Sequence, residues 1–222
     1  MIHAEEPFIF NKCIVIPKAI GKNAKNLEEL REMIAEVKPA SIYHHTYQCF
    51  LRSHIPEYTN DFAQWTGESL EARTLSEHLC IIDPYEFRDI EDLRKKLLEV
   101  IDDYRERFPG RGDVVPGNEF FFNEGITISS PAGMRVRNLI ELQIAMKSLE
   151  KGSIYYHFYE ARARNGVDDF SAWMLDALGK KQLASKIKAI DPFMHSTEEI
   201  RTHIIEAIDD ELKREVEEGE TF

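Results

Sequence analysis

The chain has 222 residues, a formal net charge of −12 at pH 7, and a composition that is 43% hydrophobic and 10% aromatic. This apolar content suffices for a packed core and excludes a wholly disordered chain. The acidic balance argues against a nucleic-acid surface and against docking on an anionic membrane, because both need a net basic face.

Cysteine usage and the lack of long apolar runs indicate the compartment. Cys13, Cys49 and Cys80 are far apart and odd in number, so we expect no disulfide framework. The opening residues, Met1–Glu6, lack the basic and apolar regions of a secretory signal. No run approaches the roughly 18 apolar residues of a membrane span. We therefore expect a cytoplasmic protein.

The first half of the chain predicts an apolar segment, FIFNKCIVI from Phe8, which forms either a hairpin with its turn near Cys13 or one continuous strand. Five helices follow. Three helix starts carry an N-cap residue with a polar or acidic residue three positions later. These pairs are Asn26 with Glu29, Asp61 with Gln64, and Asp89 with Asp92. We predict helices at about 27–38, 41–53, 61–68, 70–82 and 90–105.

The second half begins after a segment rich in proline and glycine, 108–118, which reads as a linker. Phe120–Ile128 predicts a short hairpin that turns at Asn123-Glu124-Gly125. Because isolated hairpins are marginal, we expect the strands of the two halves to join in one small sheet, or each hairpin to lie on its own helices. Helices then begin at caps Asn138, Asp169 and Ser196.

The second half repeats the first. A shift of 112 positions aligns 8–48 with 120–160 at 15 identities in 41, and a shift of 108 aligns 61–84 with 169–192 at 8 in 24. Four extra residues within Leu51–Asn60 separate the two shifts. We predict a mainly α fold with a small β-hairpin component (α+β), built by tandem duplication with two helical subdomains in a pseudo-two-fold arrangement. Repeat 1 is 1–107, the linker is 108–118, and repeat 2 is 119–222.

Several polar and aromatic residues are kept in both halves, and they form the candidate pocket. They are His45 and His157, Asp61 and Asp169, and the tyrosine pairs Tyr43 with Tyr47 and Tyr155 with Tyr159. The histidines project from an apolar helical stripe, where a neutral imidazole could pack against a carboxylate or carbonyl, or could act as a ligand or acid–base group. The aspartates could be their partners or could cap helices, and the tyrosines could stack on a sugar or base or pack in the core.

No motif indicates a cofactor. The sequence contains no phosphate-binding loop, no nucleophile elbow and no His/Cys cluster with metal-ligand spacing, so we expect neither a metal nor a cofactor. His44, beside His45, is replaced by Tyr156 in the second half, which breaks any shared ligand pattern.

The two halves also carry the motifs of a known family. Tyr43-His44-His45-Thr46-Tyr47 precedes Asp61-Phe62-x-x-Trp65, and Tyr155-Tyr156-His157-Phe158-Tyr159 precedes Asp169-Phe170-x-x-Trp173. With the Asn-Leu helix starts and the Ile-Asp-Pro segments, the chain resembles the DUF5752 family from Phe8 to about Glu211. The resemblance implies an intracellular bacterial or archaeal protein, and it assigns no catalytic residues.

These observations favour a non-catalytic binding or regulatory module, accessory to an enzyme, with a protein or small-molecule partner or a homo-oligomeric assembly. The alternative is a small hydrolase acting on a sugar or nucleotide, with His45 and His157 as the acid–base pair oriented by Asp61 and Asp169. Histidines lining one open cleft would favour the hydrolase. Histidines buried separately, with backbone partners, would favour the binding module.

Overall fold

The computed structural model describes residues 2–52, 57–110 and 112–219. Ser53–Pro56 lie outside this part of the chain, and they belong to the segment Leu51–Asn60 in which the four extra residues are predicted. The described chain is mainly helical with one small sheet, which confirms the predicted α+β class. No helix among these residues is both long and apolar enough to cross a bilayer.

Among the described residues, the first half contains one long strand and six helices. Their bounds are β1 Phe8–Ala24, α1 Leu27–Glu36, α2 Pro39–Thr46, α3 Cys49–Arg52, α4 Asp61–Glu68, α5 Arg73–Cys80 and α6 Ile90–Arg107, with a short 3₁₀ turn at Pro84–Glu86. The predicted helix at 41–53 is two helices, and it begins earlier because Pro39 fits the first helical turn, where its missing N–H costs no bond.

The second half repeats this order with one difference in the second helix. Its elements are β2 Phe120–Val136, α7 Leu139–Ser148, α8 Lys151–Ile154, a π-helix Tyr155–Glu160, α9 Ala161–Asn165, α10 Asp169–Asp176, α11 Lys181–Lys188 and α12 Thr197–Gly219. The π-helix lies at the sequence position where α2 ends in the first half. There the amide of Gln48 also contacts a carbonyl five residues back, that of Tyr43, at 3.3 Å.

The predicted hairpin turn at Asn123-Glu124-Gly125 is wrong. β2 passes through these residues as one continuous strand of 17 residues, and Gly125 is not among the described glycines with a positive φ. The other expectation holds, because β1 and β2 pair in a single two-stranded antiparallel sheet. The extended form wins since the strand around Asn123 is held by contacts with helices, described below.

Most predicted helix starts are correct, but two caps lie one residue earlier than expected. The side chains of Asn26, Asn138 and Asp89 accept backbone N–H bonds as predicted. In α4 and α10, however, the capping side chains belong to Asn60 and Asp168. Asp61 and Asp169 are therefore the first helical residues, and their carboxylates point elsewhere.

The chain forms two compact units whose boundaries differ from the predicted halves. Unit 1 is Met1–Ile14 with Ile128–Phe222, and unit 2 is Val15–Thr127. Each unit thus combines the helices of one half with the opening strand segment of the other. The phenylalanines of each opening segment are buried among the helices of the opposite half, whereas the predicted boundaries 1–107 and 119–222 follow the sequence repeat.

The segment predicted as a linker, 108–118, has structural contacts of its own within unit 2. Val114 donates its amide to the carbonyl of Lys25 at 2.7 Å, and Asp113 accepts from the side chain of Asn26 at 2.8 Å. In unit 1, the N-terminal segment makes the corresponding backbone bond, from Ala4 to the carbonyl of Arg137, also at 2.7 Å. Each half therefore opens with an arm that docks beside a helix cap.

Candidate functional site

His45 lies at the centre of a closed cluster in unit 2. Its side chain is 3% exposed. The ring atom Nδ1 is 2.7 Å from Oδ2 of Asp61, and Nε2 accepts the backbone N–H of Asn123 at 3.0 Å. The imidazole therefore joins helix α2, helix α4 and strand β2.

Three phenylalanine rings surround this imidazole. Phe120 and Phe122 of β2 lie 4.8 and 5.9 Å from the imidazole centroid, and Phe62 of α4 lies at 5.5 Å. Phe62 and Phe120 stack at 5.2 Å. Burial of rings of this size contributes about 1.5–3 kcal/mol each. The aromatic pairs therefore supply much of the attraction that holds β2 on the helices.

Trp65 closes one side of the cluster. Its ring packs edge-on against Phe120 at 5.9 Å, and its indole N–H donates to the carbonyl of Asn118 at 2.7 Å. The tryptophan, four residues after Asp61, thus faces the strand from the same helix. We call the set formed by His45, Asp61, Phe62, Trp65, Phe120, Phe122 and Asn123 the His45 clamp.

Unit 1 contains the same arrangement. Nδ1 of His157 is 2.8 Å from Oδ2 of Asp169, and Nε2 accepts the backbone N–H of Asn11 at 2.8 Å. Phe8 and Phe10 lie 4.8 and 5.9 Å from the imidazole centroid. We call the set formed by His157, Asp169, Phe170, Trp173, Phe8, Phe10 and Asn11 the His157 clamp.

The hydrogen bonds assign the same tautomer to both histidines. A backbone N–H can only donate, so Nε2 of His45 and of His157 must carry a lone pair. The proton of the neutral ring then lies on Nδ1, directed at Asp61 or Asp169. Both nitrogens of each ring are used within the protein, and neither can take a proton from a substrate without breaking a clamp.

The tyrosine pairs are packing groups. Tyr43 stacks on Tyr47 at 4.8 Å, and Tyr155 stacks on Tyr159 at 5.6 Å. Tyr47 donates its hydroxyl to the carbonyl of Pro84 at 2.5 Å, and burial, followed by the nearby Asp83, raises the pKa of Tyr47 to about 12. Tyr155 and Tyr159 are almost fully buried. In each pair the two tyrosine rings therefore stack on each other, and Tyr47, Tyr155 and Tyr159 are buried in the fold.

The two units differ at the strand residue that lies two positions after the asparagine of each clamp, where the strand packs closely on a helix. In unit 2 this residue is Gly125, and a Cβ there would overlap the buried side chain of Gln48, which bonds to His44 at 2.8 Å. In unit 1 it is Cys13, and the glycine lies on the helix instead. A Cβ on Gly152 would overlap the backbone carbonyl of Cys13. A glycine thus allows the close approach of strand and helix in both units, but it lies on the strand in unit 2 and on the helix in unit 1.

Position 160 differs in charge from its counterpart in the first half. Glu160 stands where the first half has Gln48, and its carboxylate lies 3.8 Å from the thiol of Cys13. Burial raises the pKa of Glu160, with Arg164 opposing the change. Burial, together with the charge of Glu160, raises the pKa of Cys13 to about 12. The thiol therefore stays protonated, whereas a reactive cysteine needs a thiolate stabilised by positive charge.

The N-terminal arm makes hydrogen bonds that sequence patterns did not predict. The guanidinium of Arg137 donates to the carbonyls of Ala4, at 3.0 Å, and Glu5, at 2.5 Å. The indole of Trp173 donates to the carbonyl of Glu6 at 3.2 Å. These bonds use backbone acceptors, which leave no mark in the sequence. The sequence did contain one signal for these segments, the Phe-x-Phe-Asn motif present in both halves, because each copy of it is part of a clamp.

A metal site is not formed by these residues. Within residues 2–52, 57–110 and 112–219, no group of three His, Cys, Asp or Glu side chains is placed to hold an ion. His44 bonds to Gln48 instead, and His195 and His203 pack edge-to-face at 4.6 Å.

Comparison with known proteins gives a family match over nearly the whole chain. The model of a family of unknown function, DUF5752, matches residues 5–209. The chain belongs to the DUF5752 family. The match includes both clamps and both strands.

A solved structure is similar over nearly the whole chain. It is described as the structure of OrfY from Thermoproteus tenax, with a TM-score of 0.77 and 29% sequence identity. The similarity covers 94% of this chain and 96% of the other. No curated protein matches the chain.

Proposed function

We propose that this DUF5752 protein is a non-catalytic binding or regulatory module that is accessory to an enzyme. The observation that carries the proposal is the use of both ring nitrogens of His45 and His157 inside the fold. Polar residues kept in both halves then serve to hold a strand against helices. A unit held together in this way is suited to presenting a surface to a partner protein or small molecule.

The hydrolase alternative loses its acid–base pair under the same geometry. A general base needs a lone pair within reach of the substrate, about 2.6–3.2 Å. Nε2 of each histidine already accepts a backbone N–H, and His45 and His157 are only 2% and 3% exposed. The carboxylates of Asp61 and Asp169 bond to Nδ1 of histidines whose Nε2 is already bonded inside the protein.

We further propose that the chain arose by tandem duplication of a unit that places one histidine clamp. The 15 identities in 41 aligned positions support this origin, as do the matching distances around His45 and His157. The pseudo-two-fold arrangement and a cytoplasmic location belong to the same proposal. The net charge of −12 supports a partner other than nucleic acid.

Histidine acylation by diethyl pyrocarbonate tests the proposed role. The reagent needs an accessible nitrogen lone pair, so we expect His45 and His157 in the native protein to react at least ~100-fold more slowly than His78, an exposed histidine on α5. Peptide mass spectrometry after graded exposure measures each rate. Unfolding in denaturant should make the rates equal.

Rapid acylation of His45 or His157 in the native state would contradict the proposal, because it would reveal the free nitrogen that acid–base catalysis requires. His78 is the matched control within the same chain, since it reports reagent activity under the same conditions.

A further inference from the structure

The outer surface of helices α7 and α12 in unit 1 carries exposed apolar side chains. On α7, Ile140 and Ile144 lie one turn apart on the same side and are 38% and 62% exposed. On α12, Val216 is 60% exposed, and Leu212, one turn before it, is half-buried. We call the surface formed by Ile140, Ile144, Leu212 and Val216 the α7–α12 face.

This pair of helices is joined in the same way as helices α1 and α6 of unit 2. Arg201 on α12 donates to the carbonyl of Met146 on α7 at 2.7 Å. In unit 2, Arg94 on α6 donates to the carbonyl of Ile34 on α1. Both the arginines and the carbonyl residues lie at aligned positions of the two halves. The two helix pairs can therefore be compared position by position.

Unit 2 carries a network of ion pairs at the positions that correspond to the α7–α12 face. Asp102 on α6 accepts bonds from Arg31 on α1, at 3.0 and 2.9 Å, and from Arg105 at 3.0 Å. Arg105 also donates to Glu28 at 3.3 Å. The bonds from Arg31, and then those from Arg105, lower the pKa of Asp102. The fold itself therefore does not require apolar side chains at this surface.

Unit 1 keeps the aspartate of this network and lacks both arginines. Asp209 aligns with Asp102, but Gln143 and Leu212 stand where unit 2 has the two arginines. The half-buried carboxylate of Asp209 accepts from the side-chain amide of Gln143. In the part of the chain that the structure describes, no lysine or arginine forms an ion pair with it. Unit 1 thus has the anion of the network without its cations.

The acidic residues of the network are replaced by isoleucines. Ile140 and Ile144 stand where the first half has Glu28 and Glu32. A single exposed isoleucine is ordinary on a protein surface, whereas a group of them is typical of a contact surface. Aliphatic neighbours also reduce the hydration of the Asp209 carboxylate, which makes a cation a better partner for it than water. The face therefore fits a partner that brings apolar side chains and a positive charge together.

The charge of the chain and the dimensions of the face indicate the form of this partner. A net charge of −12 repels a second copy of the chain and attracts a basic protein. Helix α7 has 10 residues, so the groove between it and α12 is about 15 Å long. Three turns of another helix match this length, and a helix packs in such a groove at about 8–10 Å from its neighbours.

We propose that the α7–α12 face binds an amphipathic helix of a partner protein, in which an arginine lies between aliphatic residues one turn before and after it. The arginine pairs with Asp209, as Arg31 and Arg105 pair with Asp102 in unit 2. The aliphatic residues cover Ile140 and Ile144. An arginine suits the site better than a lysine because its planar guanidinium can make two bonds to one carboxylate. The proposal rests on the proposed function and deepens it, since it names the chemistry that the binding module recognises.

A display library of helical peptides of about 16 residues tests the face on the full-length protein. Their outward positions are randomised among Leu, Ile, Ala, Arg, Lys, Glu and Gln. Enriched peptides should carry an arginine with aliphatic residues four positions before and after it, and they should bind Ile144→Glu at least ~10-fold more weakly than the wild type. This variant should fold, because the first half has Glu32 at the aligned position. No enrichment, or enrichment without this pattern, would overturn the proposal.

The matched control is the same substitution at another exposed isoleucine. Ile81 of unit 2 is 76% exposed, and Ile81→Glu should bind the selected peptides as the wild type does. Leu212→Arg provides a second test, because it supplies within the chain a guanidinium at the position of Arg105 and should weaken the same peptides. Equal affinities for Ile144→Glu, Ile81→Glu and the wild type would place the peptides on another surface and refute the assignment.

A double-mutant cycle tests the pairing of the arginine with Asp209. Asp209→Asn should weaken a selected peptide ~10-fold, and it should leave unchanged the affinity of the same peptide with its arginine replaced by methionine. Since both peptides are measured on one variant, a general loss of stability would affect them equally. Additive effects would show that the arginine binds elsewhere, contrary to the proposal.

Sedimentation velocity and histidine acylation separate the other outcomes. The wild type alone should sediment as a monomer of 25.8 kDa. A dimer that Ile144→Glu dissociates would assign the face to a second copy and overturn the proposal. Acylation of His45 and His157 reports separately on the proposed function. If the peptides fail to bind while both histidines resist acylation, the role of this face is lost and the clamping role of the histidines stands.

Discussion

Glu160 and Gln48 occupy aligned positions in the two halves, yet only one of them can ionise. Glu160 lies beside the buried thiol of Cys13, and burial raises its pKa above the ordinary value. Gln48 is neutral and bonds to His44 and to the hydroxyl of Thr127. Beside its clamp, unit 1 therefore has a titratable carboxyl at the position where unit 2 has a neutral amide.

Glu160→Gln should stabilise the protein at neutral pH. Because the folded state raises the pKa of Glu160, stability is unaffected below the ordinary pKa and falls as the pH rises through the raised value. The variant should match the wild type near pH 4 and exceed it at pH 7.5. We expect a gain below about 1 kcal/mol, since partial exposure screens the charge. Urea unfolding at both pH values measures it.

The converse substitution is the control for this effect. Gln48→Glu places the same carboxyl in unit 2, and it should lower the free energy of unfolding more at pH 7.5 than at pH 4. A gain from Glu160→Gln that is the same at both pH values would show that ionisation is not its cause.

At the scale of the elements, the packing of strand on helix depends on a glycine in each unit. Gly152 lies opposite a backbone carbonyl, that of Cys13, whereas Gly125 lies opposite the ends of two side chains, Gln48 and His44. A backbone group can move only with its strand. A side chain can be shortened by substitution, so the two glycines should respond differently to a compensating change.

Gly125→Ala should destabilise the protein by about 1–3 kcal/mol through overpacking, and Gln48→Ala should recover part of this loss. Gly152→Ala should also destabilise it by about 1–3 kcal/mol, after the better helix propensity of alanine is included, and Gln48→Ala should not compensate. Chemical denaturation of the single and double variants measures the coupling. An additive Gly125→Ala/Gln48→Ala pair would contradict the geometry.

Elements that are set by neighbouring residues were predictable from the sequence. Asn26 and Asn138 bond to the backbone within one turn, so each capping pattern located a helix start. The caps of α4 and α10 were misplaced because Asn60-Asp61 and Asp168-Asp169 each offer two adjacent capping residues. The second residue of each pair bonds to a histidine outside its helix, so the first residue forms the cap, and local spacing cannot predict this.

The strands illustrate what local patterns leave open. Asn123-Glu124-Gly125 has good turn chemistry, but the amide of Asn123 bonds to His45, 78 positions away. The repeated Phe-x-Phe-Asn showed that the segment mattered in both halves. It could not show which helices receive it, because either half offers an identical histidine, aspartate and tryptophan.

At the scale of the whole molecule, each compact unit needs residues from both halves. The helices of the first half lack Phe120 and Phe122 if the chain is cut in the 108–118 segment, and those of the second half lack Phe8 and Phe10. A cut there removes the centre of both clamps without removing any helix.

Fragments 1–110 and 111–222 should therefore be poorly folded alone and should fold when mixed. Circular dichroism and thermal unfolding of each fragment, and of the equimolar mixture, measure this. The expected result is a cooperative transition in the mixture only. A cooperative transition in fragment 1–110 by itself would show that the first half is independent, contrary to the composition of unit 2. A cut after Lys147, inside α7, is the control, since it should prevent recovery.

The position of the arm also sets a timetable for biosynthesis. Asp169 is made 158 positions after Asn11. At about 5–20 residues per second, Phe8 and Phe10 emerge roughly 8–30 s before the aspartate that completes their site exists. All residues of the His45 clamp have been synthesised once Asn123 is made, whereas the segment that contains Phe8 and Phe10 must wait for Asp169. For that interval the nascent chain exposes Phe8 and Phe10, and chaperones that bind aromatic segments would have a binding site there.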